Sequence, residues 1–149
     1  MNFRLFILGM ITLVSCTPNP CPDLTLRKPN YYEDRYLTYS NELDQNRNYK
    51  LYTGRCSTYE LDTLSSIRQY KDGYDHGKWK FFYKNGEVET KGKFDMGKRV
   101  GKWSYYYDTG ELSRVSSYSN GIRDGLWFGL DISGDTIWTE RYKNGKIVN

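Results

Sequence analysis

A repeat of 24 residues is the feature that most limits how this chain can fold. The stretch "HGKWKFFYKNG", residues 76–86, is followed in register by "VGKWSYYYDTG", residues 100–110, and by "DGLWFGLDISG", residues 124–134. Similarity at a fixed spacing is typical of proteins in which copies of one supersecondary unit stack on each other. We therefore interpret these stretches as copies of a structural unit and not as a single active-site loop.

Glycine and tryptophan hold fixed places in each copy. The repeated positions are Gly77, Trp79 and Gly86, then Gly101, Trp103 and Gly110, then Gly125, Trp127 and Gly134. We expect the glycines to shape turns and the tryptophans to share one aromatic face. Units are predicted near residues 52–72, 73–96, 97–120 and 121–144, with a partial unit at 145–149. The first of these, opening at "YTG", lacks the tryptophan and is one residue out of register.

Each unit has the pattern of a β-hairpin. Aromatic residues alternate along "KWKFFYK", which indicates a strand. Asn85-Gly86 follows and predicts a two-residue type I′ turn with positive φ at both positions. That turn predicts the cross-strand pairs Tyr83–Val88, Phe81–Thr90, Trp79–Gly92 and Lys84–Glu87, with Trp79 over Gly92, and Tyr107–Leu112 in the next hairpin.

The fold class predicted from these patterns is all-β. We expect one elongated sheet of successive hairpins over residues 52–149, preceded by an N-terminal strand region at 31–51. The third hairpin is weaker in pattern, since Gly129 and Asp131 replace aromatic residues. A terminal repeat has a single neighbour and tolerates such changes.

The N-terminal sequence has the pattern of an export signal. The apolar run "LFILGMITLV" is shorter than the ~20 residues of a membrane-spanning helix, which favours a signal peptide over residues 1–15. Its ending, "LVSC", resembles a bacterial lipobox and implies a lipid on Cys16; the alternative is an ordinary secretory signal. Residues 16–30 then form a predicted extended tether, because proline fixes φ. This segment contains every proline of the chain: Pro18, Pro20, Pro22 and Pro29.

Few residues suggest chemistry. The sequence contains no nucleophile motif, phosphate loop or metal-ligand spacing, so we expect no enzyme activity, cofactor or metal. His76 is interpreted as a surface residue, and Glu42 and Asp44 as part of a polar loop. With Cys16 assigned to lipid, Cys21 and Cys56 remain as a candidate disulfide, which their spacing alone does not decide.

Net charge and aromatic content limit the classes of binding partner that the sequence favours. The net charge is +4, but 22 basic and 18 acidic residues are interspersed, which does not favour nucleic acid. The tryptophans can pack the sheet or stack on sugar rings, and we favour packing. Tyr105, Tyr106 and Tyr107 are the candidate binding surface, although consecutive strand residues point to opposite faces.

The stretches "GYDHGKWKFFYKNGEV" and "GKRVGKWSYYYDTGEL" resemble the MORN-type repeat, in the variant found in the bacterial YwqK antitoxin family. The resemblance covers residues 52–149. It implies an elongated hairpin sheet with a binding or scaffold role, often in exported lipoproteins. The family's label also implies a toxin as partner.

The expected function is therefore that of an exported lipoprotein of the bacterial cell envelope, attached to a membrane by its lipid. Its repeats would act as a protein-binding or scaffold module. Two alternatives remain: a module that binds glycan or cell wall, and an antitoxin-like partner of a toxin. A closed aromatic layer would favour the structural role of the tryptophans, whereas exposed coplanar rings would favour glycan.

Overall fold

A computed structural model describes Cys21 and residues 24–27, 37–43, 45–46 and 49–148. No helix occurs among these residues, and every regular element is a β-strand. The strands are β1 (Leu24–Arg27), β2 (Leu37–Leu43), β3 (Tyr49–Leu51), β4 (Gly54–Glu60), β5 (Thr63–Lys71), β6 (Tyr74–Asp75), β7 (Gly77–Phe82), β8 (Val88–Asp95), β9 (Lys98–Tyr106), β10 (Leu112–Ser119), β11 (Ile122–Arg123), β12 (Gly125–Leu130), β13 (Thr136–Lys143) and β14 (Lys146–Ile147).

The repeat region forms one open antiparallel sheet of successive hairpins, which confirms the predicted fold class. Its strand order is β14-β13-β12-β10-β9-β8-β7-β5-β4, so neighbours in sequence are neighbours in space. The short strands β6 and β11 pair with β5 and β10. A separate three-stranded sheet joins β1, β2 and β3. Residues 24–27 of the predicted tether are thus a paired strand, while its prolines lie outside the described residues.

The predicted type I′ turn at Asn85-Gly86 is wrong. Only Gly86 has a positive φ, of 89°. The amide of Tyr83 donates to the carbonyl of Glu87, and the amide of Gly86 donates to the carbonyl of Tyr83. These two bonds close a three-residue loop, a β-turn followed by a left-handed glycine that forms a bulge. The loops ending at Gly110 and Gly134 repeat both bonds.

The extra loop residue shifts the register beside the turn. Val88 pairs with Phe82 and Leu112 with Tyr106, so the predicted partners Tyr83 and Tyr107 were wrong. The predicted pair Lys84–Glu87 is wrong for the same reason, because Lys84 lies inside the loop. Beyond the bulge the predictions Phe81–Thr90 and Trp79–Gly92 are confirmed. The bulge therefore moves the end of the hairpin and leaves its centre in register.

True two-residue turns join one unit to the next. The turn between β8 and β9 is Met96-Gly97, with φ of 43° and 80°. Asp95 pairs with Lys98 on either side, as a type I′ hairpin requires. The other links share this geometry and are Asp72-Gly73, Asn120-Gly121 and Asn144-Gly145. Asn and Asp tolerate the left-handed region, whereas methionine does so at a cost.

Met96→Asn is expected to stabilise the protein and Asn120→Met to destabilise it, each by about 1 kcal/mol. The two variants exchange the same two side chains between equivalent turns, so each is the control for the other. Denaturant unfolding measures both. Shifts of the same sign in the two variants would contradict the turn assignment.

The first unit is displaced by one residue, as its sequence predicted. The amides of Gly97 and Gly121 donate to the carbonyls of Asp75 and Arg99, each 22 residues earlier. The amide of Gly73 instead donates to the carbonyl of Tyr52, which is 21 residues earlier. The first hairpin also turns at Leu61-Asp62, where both residues have positive φ and Glu60 pairs with Thr63. A loop shorter by one residue accounts for the displacement.

Gly86→Val is expected to destabilise the protein by about 1–3 kcal/mol, because a β-branched residue resists positive φ. A side chain at Gly86 would meet no other atom within 4 Å, so backbone strain is the only cause. Gly86→Asn should cost less, since Asn tolerates this region. Melting temperatures measure both, with His76→Ala as the control for a turn-adjacent change. Equal melting temperatures for Gly86→Val and His76→Ala would refute the assignment.

Candidate functional site

Each repeated tryptophan is tied to the unit before it. The indole N–H groups of Trp79, Trp103 and Trp127 donate to backbone carbonyls at distances of 2.9, 3.3 and 2.9 Å. The acceptors also recur at the repeat spacing, and they are Gln69, Lys93 and Ser117. A half-buried indole N–H needs such a partner. The polar atom of each tryptophan is therefore committed to the array.

The repeated tyrosines at the turn end reach in the opposite direction. The hydroxyl of Tyr83 donates to the carbonyl of Tyr106 at 2.8 Å, and the hydroxyl of Tyr107 donates to the carbonyl of Leu130 at 2.7 Å. The side-chain amide of Asn85 likewise donates to the backbone carbonyl of Asp108. The two middle units, 73–96 and 97–120, are thus bonded backward through tryptophan and forward through tyrosine.

The aromatic rings form a closed ladder along one face. Trp79 and Trp103 are 6% and 1% exposed, and Phe94 lies between them with ring centroids 4.9 Å from each. The contacts are edge-to-face or tilted, the arrangement that aromatic rings prefer. One run of ring contacts joins Tyr52, Tyr70, Trp79, Phe94 and Trp103, and a second joins Tyr118, Trp127 and Tyr142; together they form the ladder. These tryptophans do not present a row of open, coplanar rings.

An arginine caps the ladder in the later units. The guanidinium of Arg99 lies 4.5 Å from the ring centroid of Trp103 and 5.5 Å from that of Tyr118, and it donates to the Tyr118 hydroxyl. Arg123 makes the same contacts one unit later, with Trp127 and Tyr142. A cation over an aromatic face is attracted by the ring quadrupole. Neither arginine was predicted from the sequence, although the two are spaced at the repeat distance.

In the unit that contains Trp79, the cation over the tryptophan ring comes from a different position. Asp75 occupies the place of the capping arginine, and Arg68 from the neighbouring strand lies 5.3 Å from the centroid of Trp79 instead. Burial raises the pKa of the Asp75 carboxyl, and the charge of Arg68 partly offsets this. A cation is retained over the tryptophan even where the repeat has lost its own arginine.

The expectation that Trp79 covers Gly92 is wrong. A Cβ at Gly92 would lie 2.2 Å from the indole of Trp103, which belongs to the next strand across. The same relation recurs once, where a Cβ at Gly129 would lie 2.1 Å from the indole of Trp138. In both places a tryptophan from the adjoining strand fills the room left by a strand glycine. The weak third hairpin thus compensates for its missing aromatic residue.

Tyr105, Tyr106 and Tyr107 do not form one continuous surface. Tyr105 lies under Arg114, with the guanidinium 3.8 Å from its ring centroid, and burial raises the pKa of its hydroxyl. The ring of Tyr106 faces the ammonium of Lys91 at 4.9 Å, and Tyr107 is bonded into the next unit. These three residues do meet in one place, a groove of about 370 Å³ at the turn end of the sheet. We call it the turn-end groove.

The turn-end groove contains two exposed apolar residues of the C-terminal hairpin. Trp138 is 36% exposed and Ile137 is 62% exposed. They lie at the start of β13, beside Tyr105 and Arg114. Exposed rings and aliphatic side chains grouped with polar neighbours are typical of contact surfaces.

The structure places Cys21 and Cys56 in a disulfide. Cys56 is buried against Tyr70 and Trp79, so the bond joins the N-terminal segment to the ladder. The amide of Cys21 also donates to the carbonyl of Ser57 on β4. Cys16, predicted to carry lipid, lies outside the described residues.

The remaining candidate residues are scattered. His76 lies between β6 and β7, with its Nδ1 3.4 Å from a carboxylate oxygen of Asp95, a neighbour that the sequence did not indicate. Glu42 lies in β2 and not in a loop as expected, and Asp44 lies outside the described residues. No cluster of three or more His, Cys, Asp or Glu side chains that could hold a metal ion occurs in the described part of the chain. The same residues contain no helix able to span a membrane.

A group of lysines on the face opposite the ladder was missed. Lys78 pairs with Lys93 across β7 and β8, and Lys80 pairs with Lys91. These four lysines line a groove of about 530 Å³, and Lys102 on β9 lines it as well. We call this surface the lysine face. The sequence contained a signal for this surface: lysines alternate in "KWK" and in "KGK", and the hairpin brings these two stretches side by side.

Comparison with known proteins leaves the resemblance to MORN-type repeats as a prediction based on repeat spacing and residue type. No family model, curated protein or solved structure matches this chain.

Proposed function

We propose that this protein is a non-enzymatic binding or scaffold module of the bacterial cell envelope. A lipid on Cys16 would hold it at a membrane, and its hairpin array, as the resemblance to MORN-type repeats implies, would carry a protein partner.

One observation carries the proposal. The side chains that are repeated at the 24-residue spacing are used to join units, through indole bonds such as Trp79 to Gln69 and hydroxyl bonds such as Tyr83 to Tyr106. Some positions that differ between units are exposed, such as Lys78, Lys102 and Leu126. Repeat arrays of this kind present extended binding surfaces. Such an array is better suited to binding a large partner over an extended surface than to catalysis at a single site.

The turn-end groove is the best candidate contact for that partner. Trp138 and Ile137 are exposed there, and the rings of Tyr105 and Tyr106 lie close by. Aromatic residues beside an arginine such as Arg114 are enriched where proteins bind one another.

The test is capture of a protein from detergent-solubilised membranes by the full-length chain. Ile137→Lys should lower capture at least tenfold, because it places a charge in the turn-end groove. Ile147→Lys is the matched control: Ile147 is 57% exposed, close to the 62% of Ile137, and lies outside the groove. Equal capture by both variants would reject the groove, and the absence of any specific protein would reject the proposal.

The anchor is tested separately by Cys16→Ser. Each buried methylene of a lipid chain contributes ~0.8 kcal/mol to membrane binding, so loss of the acyl chains should release the protein. Cell fractionation and intact mass measure the outcome. A variant that stays in the membrane with the same mass shift as the wild type would disprove lipidation.

Glycan binding is a second candidate because Trp138 remains exposed at the turn-end groove. Trp138→Ala should then abolish binding to isolated wall glycans. If the captured protein is instead a toxin that this chain neutralises, the antitoxin-like role implied by the family label would apply.

A further inference from the structure

We propose that the lysine face binds an extended acidic segment of the protein partner, one whose Asp or Glu residues alternate along a strand. The inference rests on the proposed function and adds the chemical class of the partner and a second contact surface.

The first support is the arrangement of charge. The directly opposed pairs Lys78–Lys93 and Lys80–Lys91 place four ammonium groups on adjacent strands of one face. All four side chains are exposed, as is that of Lys102. None of these five ammonium groups forms an ion pair with a carboxylate of the described residues. Within the described residues, the positive charge of this surface is therefore not compensated.

The second support is that the arrangement works against the fold. Like charges directly opposite each other in a sheet destabilise it. The sequence nevertheless repeats the arrangement in two consecutive pairs, and the ring of Tyr106 approaches only Lys91. A bound anion would relieve the repulsion in both pairs at once.

The third support is shape. The lysine face is a shallow groove, with Val100 and Ser104 between the lysine side chains. A groove accommodates a chain. A flat membrane surface would contact its rim more readily than its floor.

Spacing identifies the kind of chain. Lys78 and Lys80 are two residues apart on one strand, as are Lys91 and Lys93, which corresponds to about 6.6–6.8 Å along the strand. The side chains on one face of an extended peptide have the same spacing, so alternate carboxylates can meet successive lysines. Single-stranded nucleic acid binds by stacking successive bases on aromatic rings. Among the described residues a single ring, that of Tyr106, lies against these lysines, and the ring of Trp79 is packed into the ladder on the opposite face.

The experiment measures binding of the full-length protein to two synthetic peptides of equal composition. One peptide alternates Glu with Ser, and the other groups its Glu residues in one block. We expect the alternating peptide to bind at least tenfold more tightly, with affinity that falls as salt is raised. Lys80→Gln/Lys91→Gln should lose at least tenfold in affinity. Its melting temperature should stay level or rise, since a like-charge pair has been removed.

The control is Lys84→Gln/Lys146→Gln, which changes the net charge equally at two exposed lysines outside the groove. It should bind the alternating peptide within twofold of wild type. Equal losses in the two double variants would reduce the effect to net charge and overturn the proposal. Equal affinity for the two peptides, or binding only to sulfated glycan, DNA or anionic vesicles, would also overturn it. A Lys80→Gln/Lys91→Gln variant that still captures the membrane partner in full would leave the proposed function standing and reject only this face.

Discussion

Trp103→Ala is expected to lower the free energy of unfolding by about 3–5 kcal/mol, the range found for a large aromatic residue removed from a core. Trp103 is 1% exposed, contacts Phe94 at a centroid distance of 4.9 Å, and fills the space over Gly92. Its removal opens a cavity between two units. Trp127→Ala should cost less, because Trp127 is only half-buried and lies in the last full hairpin. Denaturant unfolding of both variants measures the difference.

Trp103→Phe serves as the control, since it retains a ring and loses the indole bond to the carbonyl of Lys93. It should fall between wild type and Trp103→Ala. If Trp103→Ala kept full stability but lost binding to wall glycans, the tryptophans would form a ligand platform, and the structural role assigned to the ladder would be wrong.

Removal of the disulfide by Cys21→Ser/Cys56→Ser is expected to cost about 4 kcal/mol, the chain-entropy value for a bond spanning 35 residues. The bond lies against Tyr70 and Trp79, so its loss also loosens the start of the ladder. Unfolding is measured with and without reductant. Reductant should destabilise the wild type and leave the double variant unchanged.

A reductant that destabilises both proteins equally would mean that its effect does not pass through this bond. A wild type insensitive to reductant, with free thiols detected at both positions by mass spectrometry, would mean that the bond does not form. The two results are distinguished in one set of samples.

The order of the hairpins was predictable because the repeat spacing and the alternation of aromatic residues are local signals. The type of the turn at Asn85-Gly86 was not, although the dipeptide favours type I′. The side chain of Asn85 accepts a bond from the amide of Glu87 and donates to Asp108 in the next unit. Contacts inside the loop and across units therefore accompany a three-residue turn, and a dipeptide preference includes neither.

Among the candidate surfaces and contacts, too, some could be predicted from the sequence and others could not. The lysine face could have been found, because the confirmed pair Trp79–Gly92 places Lys80 opposite Lys91. Counting charges along the chain concealed it, since charges interspersed in sequence can share one face of a sheet. The replacement of the capping arginine by Asp75 is visible in the repeat register, but how the structure compensates for it could not have been found. Its compensation by Arg68 comes from another strand and depends on side-chain reach across the sheet.

The bonds between units have a consequence for how the length of this protein can change. Tryptophan donates to a residue 10 positions earlier and tyrosine to one 23 positions later, in successive units alike. Insertion or deletion of a whole unit would bring an equivalent donor and acceptor together again. Insertion of one residue within a strand would instead turn the following side chains to the wrong face. The array of strands can thus be lengthened only by whole hairpins, whereas a loop can lose one residue, as the first hairpin does at Leu61-Asp62.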